Sequence, residues 1–269
     1  MTLDSALANS IALPRPLPMS QGTRSDGGAR TAFVAPRCDV DHARDIAQHL
    51  ALIESSVGVQ RRILRAGQVV YQAGKSFTHL FVANSGAYKI VNLTRDGREQ
   101  IVSLKFRGDW LGLDGIAEGI HDCDAVALDT GEVWAISYPA LLRGCAGFPA
   151  LMSAFHAAMS REIARDRTSL TSICTLPADA RVADFLFDWA TSLARRGLRT
   201  DQITMRMTRA EIGNYLGLTL ETVSRALSRL ARESMIRFTD SGRREVQIPD
   251  VAALGEFVQR CLMPAVTLQ

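Results

Sequence analysis

Between Thr219 and Leu230 the sequence reads TLETVSRALSRL, and its polar side chains recur at intervals that one face of a helix would gather. Glu221, Ser224, Arg225, Ser228 and Arg229 fall on that face, because residues three and four apart are neighbours on a helix surface. Leu220, Val223, Leu227 and Leu230 fall on the other, so one side can pack while the other reads. The polar chemistry suits the edges of bases: Arg can donate a two-pronged pair to guanine O6 and N7, Glu can accept from a cytosine amino group, and Ser can bond or pack at a neighbouring base. Other groups with reactive potential are scattered. The five cysteines, Cys38, Cys123, Cys145, Cys174 and Cys261, are odd in number and never in C-x-x-C spacing, so they suggest neither a disulfide framework nor a zinc site, and no metal site is expected. Cys38, Cys123 or Cys174 would gain reactivity if exposed near cations. His79, His121 and His156 stand alone, with no ligand spacing around them.

Positioning the polar face requires the longer unit MTRAEIGNYLGLTLETVSRALSRLARESMIRFTDSGRREVQI. Thr208 followed three residues later by Glu211 is a capping box, which predicts a helix from Arg209 through Leu216. Gly217 can take the left-handed conformation that ends it. Thr219 can cap the next helix, whose first turn turns backbone N–H groups and positive dipole character toward any nearby phosphate. Two helices joined by a short Gly-containing turn have helix-turn-helix geometry. The following IRFTDSGRREVQI predicts two short strands around Asp240, Ser241 and Gly242, a wing.

The rest of the 269 residues divides by pattern. Pro, Gly and Ser fragment residues 1–36, which are expected to be a flexible lead-in. Ala43, Ile46, Leu50 and Ile53 follow helical spacing. From about Arg61 to Tyr138, short β-rich runs punctuated by Gly predict a β-roll, with a hairpin around Arg95, Asp96 and Gly97. From Phe148, Met152, Phe155, Met159, Ile163, Leu170 and Ile173 recur at intervals of three, four and seven. Their stripe is narrower than a globular helix face, which suits pairing between two copies of the chain. LPADA, residues 176–180, then starts a helix with Val182, Phe185, Leu186, Trp189 and Leu193 on one side. The expected fold is α+β: a flexible segment over 1–36, a β-roll over 37–146, a dimerisation helix over 147–176, a winged helix-turn-helix over 177–250 and a tail over 251–269. No run approaches the eighteen or so apolar residues of a membrane helix and no signal peptide opens the chain, so a cytoplasmic protein without membrane contact is expected. The net charge of +3 is compatible with a nucleic-acid partner without requiring one.

Across residues 38–255 the chain resembles the Crp/Fnr family of bacterial transcription regulators. MTRAEIGNYLGLTLETVSRALSRL is similar to the Fnr-type helix-turn-helix, and DGREQIVSLKFRGDWLGLDGI to the Fnr-type β-roll. The resemblance implies a sensor β-roll, resembling a cyclic-nucleotide-binding jelly roll, together with a dimerisation helix and a DNA-binding winged helix. It makes Glu221, Ser224 and Arg225 the E-x-x-S-R readers of a TTGAT half-site in an inverted repeat. It places Arg209, Thr219 and Thr222 on phosphates, and Met152, Phe155, Met159, Ile163 and Leu170 in the dimer seam. Crp-type members carry Arg where this chain has Leu220 and Gly where it has Ser224, and both departures favour the Fnr type. By the same resemblance, residues Thr94 to Glu99 and Arg195 to Thr200 lie where relatives touch RNA polymerase. Double-stranded DNA, RNA polymerase and a second copy of the chain are the implied partners.

The input signal departs from the family pattern. Fnr-type iron–sulfur clusters need four Cys thiolates, three of them close together near the N-terminus. Here that region supplies only Cys38, and Trp134 in GEVWAIS stands where the β-roll ligand should be. Cyclic AMP needs Gly-Glu and a later Arg-Ser/Thr-Ala, which align with Gly108-Asp109 and with His121, Asp122 and Cys123. A carboxylate at the phosphate position repels phosphate, and no fixed guanidinium offsets it. No cofactor is therefore expected. Three inputs stay open: none beyond protein abundance, as in the FixK-like branch; haem held by His79, His121 or His156, sensing nitric oxide; or a redox thiol. A regulatory protein without DNA binding, or an enzyme, is the competing class, but P-loop, G-x-S-x-G, H-E-x-x-H and G-x-G-x-x-G signatures are missing from the sequence.

Overall fold

The computed structural model describes residues 40–94, 96–239 and 244–262, so Cys38, the segment over 1–36 and the wing tip at Asp240, Ser241 and Gly242 lie outside the described residues. Helix α1 (Val40–Ser56) buries Leu50 and Ile53 against the roll. Eight strands follow: β1 (Gln60–Leu64), β2 (Val69–Tyr71), β3 (His79–Ala83), β4 (Tyr88–Leu93), β5 (Glu99–Lys105), β6 (Trp110–Leu111), β7 (Cys123–Ala127) and β8 (Gly131–Ser137). They form two antiparallel four-stranded sheets, ordered β1-β8-β3-β6 and β2-β7-β4-β5. Inward-facing Val133, Ala135, Tyr88 and Leu111 fill the space between them. The expected hairpin is present, with Leu93 opposite Glu99 and Val91 opposite Ile101.

A helix that the apolar pattern does not announce, α2 (Tyr138–Gly147), turns the chain out of the roll. Its Pro139 sits in the first turn, where a missing N–H costs nothing. Helix α3 (Pro149–Thr175) then runs through 27 residues. Part of its apolar stripe packs within the chain, which corrects the reading of the whole stripe as a seam between copies. Phe155 is buried, its ring 5.2 Å from that of Trp110, so it belongs to the core of the roll. Met152 and Met159 pack partly against the same core. Farther along, Ile163 and Leu170 are 52% and 64% exposed.

After Leu176 and Pro177 the chain enters α4 (Ala178–Ala194), whose Val182, Phe185, Leu186 and Trp189 form the floor of the second core. Strand β9 (Gln202–Thr204), helices α5 (Arg209–Leu216) and α6 (Leu220–Arg232), and strands β10 (Arg237–Phe238) and β11 (Glu245–Gln247) complete a winged helix-turn-helix, with a sheet ordered β10-β11-β9. Residues 251–262, expected as part of a tail, instead form α7 (Val251–Leu262), which packs on α4 and buries Leu254 and Val258 in the same core.

Candidate nucleic-acid interface

Local chemistry fixes the two helices of the motif. The Thr208 hydroxyl accepts from the Glu211 N–H at 3.2 Å, and the Glu211 carboxylate accepts from the Thr208 N–H at 2.8 Å, completing the capping box. Gly217 ends α5 at φ 65°, a left-handed backbone that a Cβ would strain. Gly213 answers a different need: a Cβ there would come within 2.6 Å of the Leu218 carbonyl oxygen, so only glycine lets the turn fold back this closely. Thr219 caps α6, its hydroxyl accepting from the Thr222 N–H at 3.2 Å.

Helix α6 is strongly two-sided. Val223, Ala226, Leu227 and Leu230 are buried, which locks its rotation about its own axis. Leu220, expected on that packed side, is 47% exposed, because the first turn of α6 projects past the core beneath it. On the opposite face Glu221 and Arg225 are exposed and Ser224 is half-buried, so the three expected readers share one open surface. Arg225 Nη2 lies 3.3 Å from the Thr222 hydroxyl, which steadies the guanidinium along the helix. Arg229, grouped with these by periodicity, is committed elsewhere: it donates to Asp179 at 2.6 Å and Glu233 at 2.9 Å and so ties α6 to the start of α4. Ser228 donates to the Ser224 carbonyl. Arg209 lies at the start of α5 with its guanidinium 5.7 Å from the Phe238 ring centroid, bringing α5 and the wing together. Thr219 and Thr222 sit at the other exposed N-terminus, and their hydroxyls are 3.0 Å apart.

The roll presents a cavity of about 770 Å³ between its β2-β7-β4-β5 sheet and α3, lined by Tyr71, Lys105, Asp114, Cys123, Glu162 and Asp166 among others. Its one cation among these, Lys105, is paired with Glu162. Asp109 does not face a ligand; it is forked between Arg165 of α3 at 2.7 Å and Arg196 after α4 at 2.9 Å. Burial alone would raise its carboxyl, but Arg196 and then Arg165 hold it below the usual carboxylate range. The absence of a fixed guanidinium inferred from sequence is thus corrected for Asp109, though neither arginine lines this cavity.

The remaining candidates separate by burial. Trp134 is buried in β8 with its indole N–H donating to Glu132 at 2.7 Å, an apolar wall where the resemblance would need a thiolate. His121 is 3% exposed and stacks on Tyr71 at 4.0 Å; its Nδ1 has no hydrogen-bond partner, and burial holds its pKa below the ordinary histidine value. His79 bonds the Thr78 hydroxyl at 2.9 Å. Burial, followed by Asp114, pushes the Cys123 thiol up to about 11, which leaves it protonated at neutral pH. Cys174 is exposed near the end of α3. Among the described residues, no three His, Cys, Asp or Glu side chains converge as a metal site, and no helix is long and apolar enough to cross a membrane.

A two-sided second helix, capped and turned in this way and followed by a wing, defines a DNA-binding protein of the winged-helix class, here joined to a β-roll. Residues 180–257 match the Crp-like helix-turn-helix domain, and residues 61–147 match the cyclic nucleotide-binding domain. The transcriptional regulatory protein btr of Bordetella pertussis is 34% identical over 216 residues, covering 80% of this chain and 86% of that one. The fumarate and nitrate reduction regulatory protein of Escherichia coli K12 is 33% identical over 177 residues, covering 66% of this chain and 71% of that one. The chain belongs to the Crp/Fnr family of transcription regulators. Its fold is similar to that of FixK2 from Bradyrhizobium japonicum, with a TM-score of 0.65 and 24% identity over 78% of this chain and all of that one. It is also similar to a CRP-family regulator from Thermus thermophilus, with a TM-score of 0.61 and 22% identity over 76% of this chain and all of that one.

Proposed function

We propose that this regulator works as a homodimer that reads an inverted repeat of TTGAT-type half-sites, with Glu221, Ser224 and Arg225 on the bases and Arg209, Thr219 and Thr222 on the phosphates. The observation that carries this reading is α6: its apolar face is locked in the core while Glu221, Ser224 and Arg225 share the open one. Pairing through α3 is supported by Ile163 and Leu170, large apolar residues left exposed at a spacing of seven on one helix. The loops at residues 94–99 and 195–200 are the surfaces this reading assigns to RNA polymerase, with activation or repression decided by where the sites lie relative to promoters.

The regulator acts, on this proposal, without a resident cofactor. A cyclic nucleotide phosphate would meet Asp114, Glu162 and Asp166 in the cavity, with Lys105 already paired, so the residues present do not fit it. The indole of Trp134 does not fit an iron–sulfur cluster. His121 is an unsuited haem ligand, packed between Tyr71 and Phe77. Of Cys123 and Cys174, only the exposed Cys174 suits a redox thiol, a second reading in which modification at the end of α3 disturbs DNA binding.

Sequencing of the sites bound in vivo, with and without oxygen, tests the main reading. Enrichment of TTGAT palindromes under both conditions is expected; enrichment of no palindrome would sink the dimeric reader. A Soret band or a broad band near 400 nm in protein purified without air would overturn the absence of a cofactor.

A further inference from the structure

We infer that Asn214 clasps the winged helix to the edge of the β-roll, and that this clasp sets the half-site spacing the regulator accepts. The inference rests on the proposed reading of an inverted repeat by a dimer. Strand β5 is the outer strand of its sheet, so its outward N–H and C=O groups have no strand to pair with. Asn214, on α5, takes that place. A side-chain amide carries the same donor and acceptor as a peptide group: the Ile101 N–H donates to Asn214 Oδ1 at 2.6 Å, and Asn214 Nδ2 donates to the Glu99 carbonyl at 2.7 Å. Gln100 Nε2 donates back to the Asn214 carbonyl. One turn earlier on the same helix, Glu211 meets Lys89 of β4 at 2.7 Å. Burial opposes ionisation of Glu211, but bonds from Lys89 and Thr208 hold its carboxyl below the usual range, so it stays ionised at neutral pH. Val91 and Ile101, also of β4 and β5, are buried in the core of the winged helix itself.

Two neighbouring strands of the roll therefore grip one short helix of the DNA-binding unit through apolar contact flanked by directional bonds. Between α3 and α4 the backbone link is only Leu176 and Pro177. That link would let the winged helix swing; a two-pronged amide bond resists both sliding and rotation. Changing a spacer by one base pair moves the second half-site by about 3.4 Å and turns it by roughly 35°. A winged helix tied to the roll only by the hinge and by single ion pairs such as Arg196–Asp109 can pivot to follow that displacement, whereas one also clasped at α5 cannot. Asn214, Gln100 and Lys89 are thus positioning residues, which select spacing without touching a base.

The test is fluorescence anisotropy with the full-length protein on duplexes carrying inverted TTGAT repeats at spacers of the best length, one and two base pairs shorter or longer, and on a duplex with a single half-site. Wild type should lose about tenfold in affinity or more per one-base-pair change, the scale on which specific contacts are lost. Asn214→Ala should flatten that profile while leaving single-half-site binding unchanged. The double variant Lys89→Ala/Gln100→Ala removes the flanking bonds but keeps the two from Asn214 to β5, so it should flatten the profile by a smaller factor, and it leaves the sequence of the winged helix intact should Asn214→Ala fold poorly. An equal loss at every spacing, or a flat profile for wild type, overturns the clasp as a spacing device. Wild type that binds the single half-site but shows no gain on any inverted repeat overturns the dimeric reading itself, before a variant is made.

Discussion

Arg225 carries the narrowest expectation at the scale of residues. Its guanidinium is held along α6 near Thr222 and exposed toward any ligand, so Arg225→Ala should remove about 1–3 kcal/mol of discrimination at one guanine. Competition between duplexes that differ only at that base reads the effect; equal weakening on every sequence would reassign Arg225 to a phosphate. Asp188 gives a second expectation, on stability. Loss of solvent in the cleft between α3 and α4, followed by Asp184, pushes its carboxyl up to about 7 from an ordinary value of 3.8. The folded protein then binds that proton more tightly than the unfolded chain, so ionising Asp188 costs stability as pH rises from near 4 through 7. Asp188→Asn should accordingly raise the melting temperature at pH 8 and have little effect at pH 4; a gain independent of pH would point to packing instead.

At the scale of elements, the cap of α5 and the outer half of α3 make separate predictions. Thr208→Ala breaks the capping box and should cost roughly 0.5–2 kcal/mol in denaturant titrations. For α3, Ile163→Glu with Leu170→Glu should shift sedimentation from dimer to monomer while circular dichroism stays unchanged, because neither side chain contributes to a core within the chain. A dimer that survives both substitutions would place the seam elsewhere. The same helix shows why periodicity alone misassigned Phe155. A stripe at intervals of three, four and seven states that a face is covered, but not whether the roll or a second copy covers it.

For the whole molecule, the fork of Asp109 between Arg165 and Arg196 joins the roll, α3 and the end of α4. Arg196 is 7% exposed at its side chain, so Arg196→Ala leaves a buried carboxylate with half its support and should lower stability by about 3 kcal/mol, near the small end for broken buried pairs because Arg165 remains. A shift in urea midpoint measures it, and no shift would mean that water replaces the guanidinium. The elements of the winged helix were legible because their signals are local: Thr208 with Glu211, Gly217 and Thr219 act on neighbours within one turn. Leu220 was misjudged because its exposure depends on where the core beneath α6 ends. Asn214 left no signal, since its partners on β5 lie 113 residues and more away, and of the two partners of Arg229 only Glu233 is close in the chain, while Asp179 lies 50 residues away. By itself the sequence determined the roll, the caps of α5 and α6 and the apolar stripe of α6, because these depend on residues close in the chain. Only the tertiary structure decided that Phe155 of α3 belongs to the core of the roll, that residues 251–262 complete the second core and that the roll grips α5, because each of these depends on which distant surfaces meet.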